Sequence, residues 1–202
     1  MNAPAPRSTH LLYLHGFRSS PRSAKAQRMA RWMAEHRPNL VWQAPQLPPS
    51  PREAVEQIRA LIAAWPRDTL AVMGSSLGGF YASWVQQHTG CRAVLLNPAV
   101  DPARDLSRYI GEHSCWQNPE ERFFFRPEFV DELRAIAQDL TPGSIARPQQ
   151  ILAVIAKGDE VLDWREMHAR YTGSRIKLLE GSDHGLSDFD DYLPELTEFL
   201  KL

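Results

Sequence analysis

The chain has 202 residues, a formal net charge of −1 and 43% hydrophobic residues. That length suits one domain of ordinary α/β size and is short for two. A near-neutral charge argues against nucleic acid as the main partner, because phosphate binding needs a one-sided excess of Lys and Arg. Here the basic residues are interleaved with acids, the pattern of a solvated surface. No uninterrupted apolar run approaches the ~20 residues of a membrane span, and residues 1–7 lack the apolar core of a secretory signal. Cys91 and Cys115 are the only cysteines, too few for a disulfide framework or a zinc site. The expectation is a chain of the reducing cytoplasm that works without metal or cofactor.

Strand and helix then alternate. Leu11–Leu14 is a short apolar run ending at His15-Gly16, a buried strand followed by a tight turn. Residues 23–35 show helical spacing, with Ala26, Met29, Ala30 and Met33 on one face. Leu40–Trp42 is a second strand. Ser50-Pro51-Arg52-Glu53 has the pattern of a capped helix start, and Ala54, Val55, Ile58, Leu61 and Ile62 supply its apolar face. Leu70–Met73 is the third strand and runs into Gly74-Ser75-Ser76-Leu77-Gly78. Residues 80–88 continue as a helix stopped by Gly90. Ala93–Leu96, Ile151–Ala156 and Ile176–Leu179 complete six strands, and a last helix is expected over about 190–201. Apolar strands separated by helices predict an α/β fold with a mainly parallel sheet and right-handed crossovers.

Between Asn97 and Ile151 no core strand is evident, yet Tyr109, Trp116, Phe123, Phe124, Phe125 and Phe129 crowd this stretch. The whole chain, 1–202, is read as one domain with a partly helical cap inserted at about 101–147, residues 128–140 being its clearest helix. An ordinary packed subdomain would carry the same aromatic content.

The Gly-x-Ser-x-Gly turn has a mechanical meaning. A nucleophile on so tight a strand-to-helix turn sits in a strained conformation, and its neighbours must be small. The frame selects Ser76 and not Ser75, since only Ser76 has glycine two residues away on each side. The rival use, a phosphate-cradling loop, lacks the Lys-Ser or Lys-Thr it needs.

A serine hydroxyl needs a histidine to take its proton, and that histidine needs a carboxylate. In this kind of fold the chain order is Ser, acid, His. His10, His15 and His36 precede Ser76, His88 and His168 belong to helices, and His113 falls in the cap. His184, in the loop Gly181–Gly185 after the last strand, remains. Asp159, just past the fifth strand, is the matching acid. Asp163 is better suited to capping the next helix, and Asp183 is too close to the base in sequence. Backbone N–H groups of Leu77 and Phe17 are the expected oxyanion donors, with His15 holding the first turn. Arg18 and Arg22 lie near that turn, compatible with an anionic substrate or with plain surface charge.

His15-Gly16-Phe17, Ser19-Ser20-Pro21-Arg22-Ser23-Ala24-Lys25, Pro45–Pro49, Gly74–Gly79, Asn97-Pro98-Ala99-Val100 and Gly158–Asp163, in this spacing, resemble the YqiA-type esterases, small bacterial α/β-hydrolases. The resemblance runs from about Leu11 to the C-terminus. It implies a carboxylesterase acting on a small-molecule acyl ester or thioester through Ser76, Asp159 and His184. Asp183 and Gly185 stand where the family pattern carries Asn and Ala. A non-catalytic binding module on the same fold, and an acyltransferase or peptidase using the same triad, are the alternatives.

Overall fold

A computed structural model describes residues 6–140, 145 and 147–202. The far end of the expected cap and most of the N-terminal segment lie outside the described residues. Six parallel strands form the central sheet in the order β2-β1-β3-β4-β7-β8. They are β1 (His10–Leu14), β2 (Val41–Gln43), β3 (Leu70–Ser75), β4 (Arg92–Leu96), β7 (Ile151–Ala156) and β8 (Arg175–Leu179). The inner strands β3 and β7 are buried throughout, whereas edge strands β2 and β8 are half-exposed. This is why the inner strands are continuous apolar runs.

Residues alternate between the two faces along each strand. Leu12, Leu14, Val72, Leu95, Ala153 and Ile155 pack with α2 (Pro51–Ile62), α3 (Leu77–Thr89) and α6 (Trp164–Arg170). Leu11, Tyr13, Met73, Val94, Leu152 and Val154 pack with α1 (Ala24–His36) and α7 (Leu193–Phe199). No helix among the described residues is long and apolar enough to cross a membrane. Helix α2 begins as its sequence dictates: Pro51 opens the first turn and the Ser50 hydroxyl accepts from the Glu53 amide at 3.3 Å.

The chain leaves β1 for the edge strand β2 and returns to β3 on the other side of β1. A crevice opens beyond the carboxyl ends of β1 and β3 at such a reversal, the usual ligand position in open α/β sheets.

Between β4 and β7 lie α4 (Pro102–Ser107), β5 (Gly111–Cys115), β6 (Asn118–Phe125) and α5 (Pro127–Asp139). β5 and β6 form a separate antiparallel hairpin, an element the sequence reading did not anticipate. Its tip is bonded to the turn after β1: the Trp116 amide donates to the Arg18 carbonyl at 2.7 Å, and Arg18 Nε donates to the Ser114 carbonyl at 3.1 Å. The Arg18 guanidinium also stacks on the Trp116 ring at 3.9 Å. Helix α5 is tied to the start of α2, where Glu132 accepts from the Ser50 hydroxyl at 2.7 Å and the Arg52 amide at 3.1 Å.

Several boundaries differ from expectation: β3 runs on to Ser75, and α3 begins at Leu77 and not at residue 80. Strand β2 is shifted one residue toward Gln43, and the C-terminal helix is broken into a 3₁₀ turn at Phe189–Asp191 and α7. Pro194 explains the break in the last helix, because it can enter only the first turn of a helix. Cys91 and Cys115 are both buried and free.

Candidate active site

Ser76 sits at the junction of β3 and α3 with φ 56° and ψ −120°, a conformation unfavourable for a residue with a side chain. The neighbours make that turn possible. A Cβ on Gly74 would run into the Gly78 carbonyl, and one on Gly78 into the Leu14 carbonyl. The turn is held from outside as well: the Ser76 amide donates to Leu96 O at 2.9 Å, and Ser76 O accepts from the Ala99 amide at 3.1 Å. Ser75, by contrast, is the last residue of β3 and is buried.

His184 lies 108 positions later in the chain and reaches Ser76 from the loop after β8. Its Nε2 is 3.1 Å from Ser76 Oγ, and its Nδ1 is 2.7 Å from Asp159 Oδ2. The Asp159 carboxylate is wholly shielded from solvent, while 21% of the His184 side chain is exposed. The second oxygen of Asp159 accepts from the Val161 and Leu162 amides, each at 2.8 Å. One carboxylate oxygen is thus fixed by backbone donors and the other is left for the imidazole. Since the carboxylate can only accept, Nδ1 carries the proton and Nε2 is free to accept from the serine hydroxyl.

Asp163 caps α6, accepting from the Arg165 amide at 2.9 Å, and Asp183 accepts from the Ser187 amide at 2.9 Å. That amide holds the Asp183 carboxyl below its ordinary pKa. Neither competing acid is therefore aimed at the imidazole. His15 is buried in the turn after β1. Its Nε2 accepts from the Leu47 amide at 3.0 Å, so Nδ1–H donates to the Gly16 carbonyl at 2.9 Å. Burial pushes its pKa down from the usual value, and both ring nitrogens are engaged in holding the turn.

Phe17 and Leu77 border the cavity that contains Ser76 and His184, a space of about 680 Å³. The Leu77 amide belongs to the first turn of α3, where N–H groups have no partner within the helix. The Phe17 ring packs edge-on or tilted against Tyr109, His113, Phe123 and Phe125 at centroid distances of 5.2–5.8 Å. The aromatic residues of the inserted segment divide accordingly. Tyr109 and Trp116 line the cavity, Phe123 and Phe125 support Phe17, and Phe124 faces solvent.

Two residues near His184 were not singled out from the sequence. Glu160 accepts from the His184 amide at 3.0 Å. The Lys25 ammonium donates to the Gly185 carbonyl, and burial lowers its pKa to about 8 against the opposing pull of Asp183 and Asp159. Arg18 lines the cavity, whereas Arg22 is exposed and does not.

The solved structures similar to this one share its architecture. A protein of Agrobacterium vitis S4 assigned as a hydrolase superposes with a TM-score of 0.74 at 18% identity, over 98% of this chain and 91% of that one. A metagenome-derived lipolytic enzyme, from a study of LipS and LipT, gives 0.68 at 20% identity, over 96% and 94%. Est1E of Butyrivibrio proteoclasticus, with ferulic acid bound, gives 0.63 at 15% identity, over 96% and 87%. At these identities the likeness is one of fold. The model of the Uncharacterised protein family UPF0227 matches residues 10–201, so the chain belongs to this YqiA-like family and has the α/β-hydrolase fold.

Proposed function

We propose that the protein is a serine esterase that hydrolyses small carboxylic esters or thioesters through a covalent acyl-enzyme. The observation that carries this reading is the position of the His184 ring, 2.7 Å from Asp159 on one side and 3.1 Å from Ser76 Oγ on the other. Ser76 Oγ attacks the ester carbonyl while His184 Nε2 takes its proton. The carbonyl oxygen becomes an oxyanion, stabilised by the N–H groups of Phe17 and Leu77. Asp159 keeps Nδ1 protonated and stabilises the imidazolium. Nε2 then protonates the leaving alcohol or thiol. Water, activated by the same nitrogen, attacks the acyl-enzyme and releases the acid with Ser76 restored. Esterases, lipases and hydrolases among the structural neighbours add support at the level of fold.

The segment between β4 and β7 serves as the cap of this site, since Tyr109 and Trp116 line the cavity wall. Arg18, Lys25, Arg28, Arg31 and Arg108 line the same cavity, set against Asp105 and Asp190. This balance favours an ester carrying an anionic group. Turnover of a short aryl ester by Ser76→Ala tests the reaction: a folded variant losing nearly all turnover supports it, and wild-type activity overturns it. Aryl esters compared with acyl-CoA thioesters at equal chain length test the preference.

A further inference from the structure

The strand-end segment Leu96-Asn97-Pro98-Ala99 touches the loops of all three proposed catalytic residues, and Asn97 makes the side-chain connection. Its backbone stands at φ 41°, a left-handed conformation that asparagine tolerates better than most residues. Its side chain is completely buried. The carboxamide oxygen accepts from the Ala156 amide at 2.8 Å, at the end of β7 where the Asp159 loop begins. The carboxamide nitrogen donates to the carbonyls of Asp183 at 3.0 Å and His184 at 3.3 Å. Meanwhile the flanking backbone of Leu96 and Ala99 holds Ser76.

We infer that Asn97 is a positioning residue that fixes the base loop to the acid strand, setting the reach of His184 toward Ser76. The inference rests on the proposed Ser76–His184–Asp159 reaction. One acceptor and two donors on a rigid plane are what the three backbone groups require, and only a carboxamide supplies them. Aspartate matches the shape but turns an acceptor toward two carbonyls in a buried place. Alanine leaves the Ala156 amide and both carbonyls without this partner. Glutamine is one methylene too long to keep the same three bonds in this fully buried position. Loss of the clamp frees the loop of His184, while the opposite wall of the cavity, with Phe17, Tyr109 and Trp116, stays in place.

The test compares wild type, Asn97→Ala, Asn97→Asp and Ser76→Ala on an aryl ester, each assayed well below its own Tm. Misplacement by about 1 Å can cost ~100-fold in rate, so kcat is expected to fall about 10- to 100-fold in both Asn97 variants with KM within about twofold. In ¹H NMR, a downfield His184 Nδ1 proton is expected for wild type and should broaden or vanish in the Asn97 variants. Asn97→Asp keeps the side-chain volume and decides the matter where Asn97→Ala does not fold. An inactive Ser76→Ala together with Asn97→Asp at wild-type kcat, its Nδ1 proton unchanged, overturns the inference. An active Ser76→Ala overturns the proposed reaction instead.

Discussion

Asp159 divides its carboxylate between two tasks: Oδ1 accepts from the Val161 and Leu162 amides, and Oδ2 lies 2.7 Å from His184 Nδ1. Asp159→Asn tests that division. An asparagine oxygen can still serve the two amides, but its NH₂ then faces Nδ1 and selects the tautomer that protonates Nε2. That nitrogen can no longer accept from Ser76. We expect a folded protein with kcat reduced about 10⁴-fold and KM little changed, as for triads robbed of the right tautomer. Steady-state kinetics with an aryl ester is the check, and a loss below tenfold would count against the role of Asp159.

Phe17 connects the turn after β1 to the inserted segment through its four ring contacts. Aromatic pairs contribute about 0.5–1.5 kcal/mol each beyond area burial. Phe17→Ala should therefore lower stability by about 2–4 kcal/mol, given that the ring is half-buried. Its backbone N–H is a proposed oxyanion donor, so kcat should fall at least tenfold, whereas Phe17→Leu should recover most of it. Urea denaturation and kinetics on both variants separate the two effects.

His15 makes stability depend on pH. Its folded-state pKa lies below the usual 6.5, chiefly through burial. As pH falls below about 6.5 the unfolded chain takes up the proton first, so stability is lost in that window and is fully present above it. A protonated ring would also turn Nε2 from acceptor into donor against the Leu47 amide. The measurement is Tm against pH for wild type and His15→Gln. The variant keeps an acceptor that does not titrate, and its Tm should fall less steeply on acidification. Parallel curves would contradict this account of His15.

Glu132 fastens α5 to the first turn of α2 through the Ser50 hydroxyl and the Arg52 amide. The carboxylate also meets the positive end of the α2 dipole. Glu132→Ala should cost about 1–3 kcal/mol, the range for leaving a buried hydrogen-bond partner, here Ser50, unsatisfied. Glu132 does not border the Ser76 cavity, so activity per folded molecule should be unchanged. Thermal unfolding and aryl ester turnover together check both halves.

The core strands were readable because burial on both faces turns each into an apolar run such as Leu70–Met73 or Ile151–Ala156. The β5–β6 hairpin was not. Gly111–Cys115 and Asn118–Arg122 are polar and half-exposed, and a hairpin with a solvated face offers no continuous apolar signal. Ser76, Asp159 and His184 could be named because chain order and strand ends constrain them. Lys25, Glu160 and Asn97 could not be given roles, since each acts on a backbone group far away in sequence. Asn97 reads locally as a strand terminator; its side-chain bonds span 59 to 87 positions.

The central claim, that Ser76 is the nucleophile, is tested most directly by covalent labelling. The folded protein is treated with a fluorophosphonate, digested, and the modified peptide sequenced by mass spectrometry. Ser76 and Ser75 share a peptide, so fragmentation must separate them. The account predicts stoichiometric modification on Ser76, abolished in Ser76→Ala and slowed in His184→Ala. Label on Ser75, or none on correctly folded protein, would contradict it.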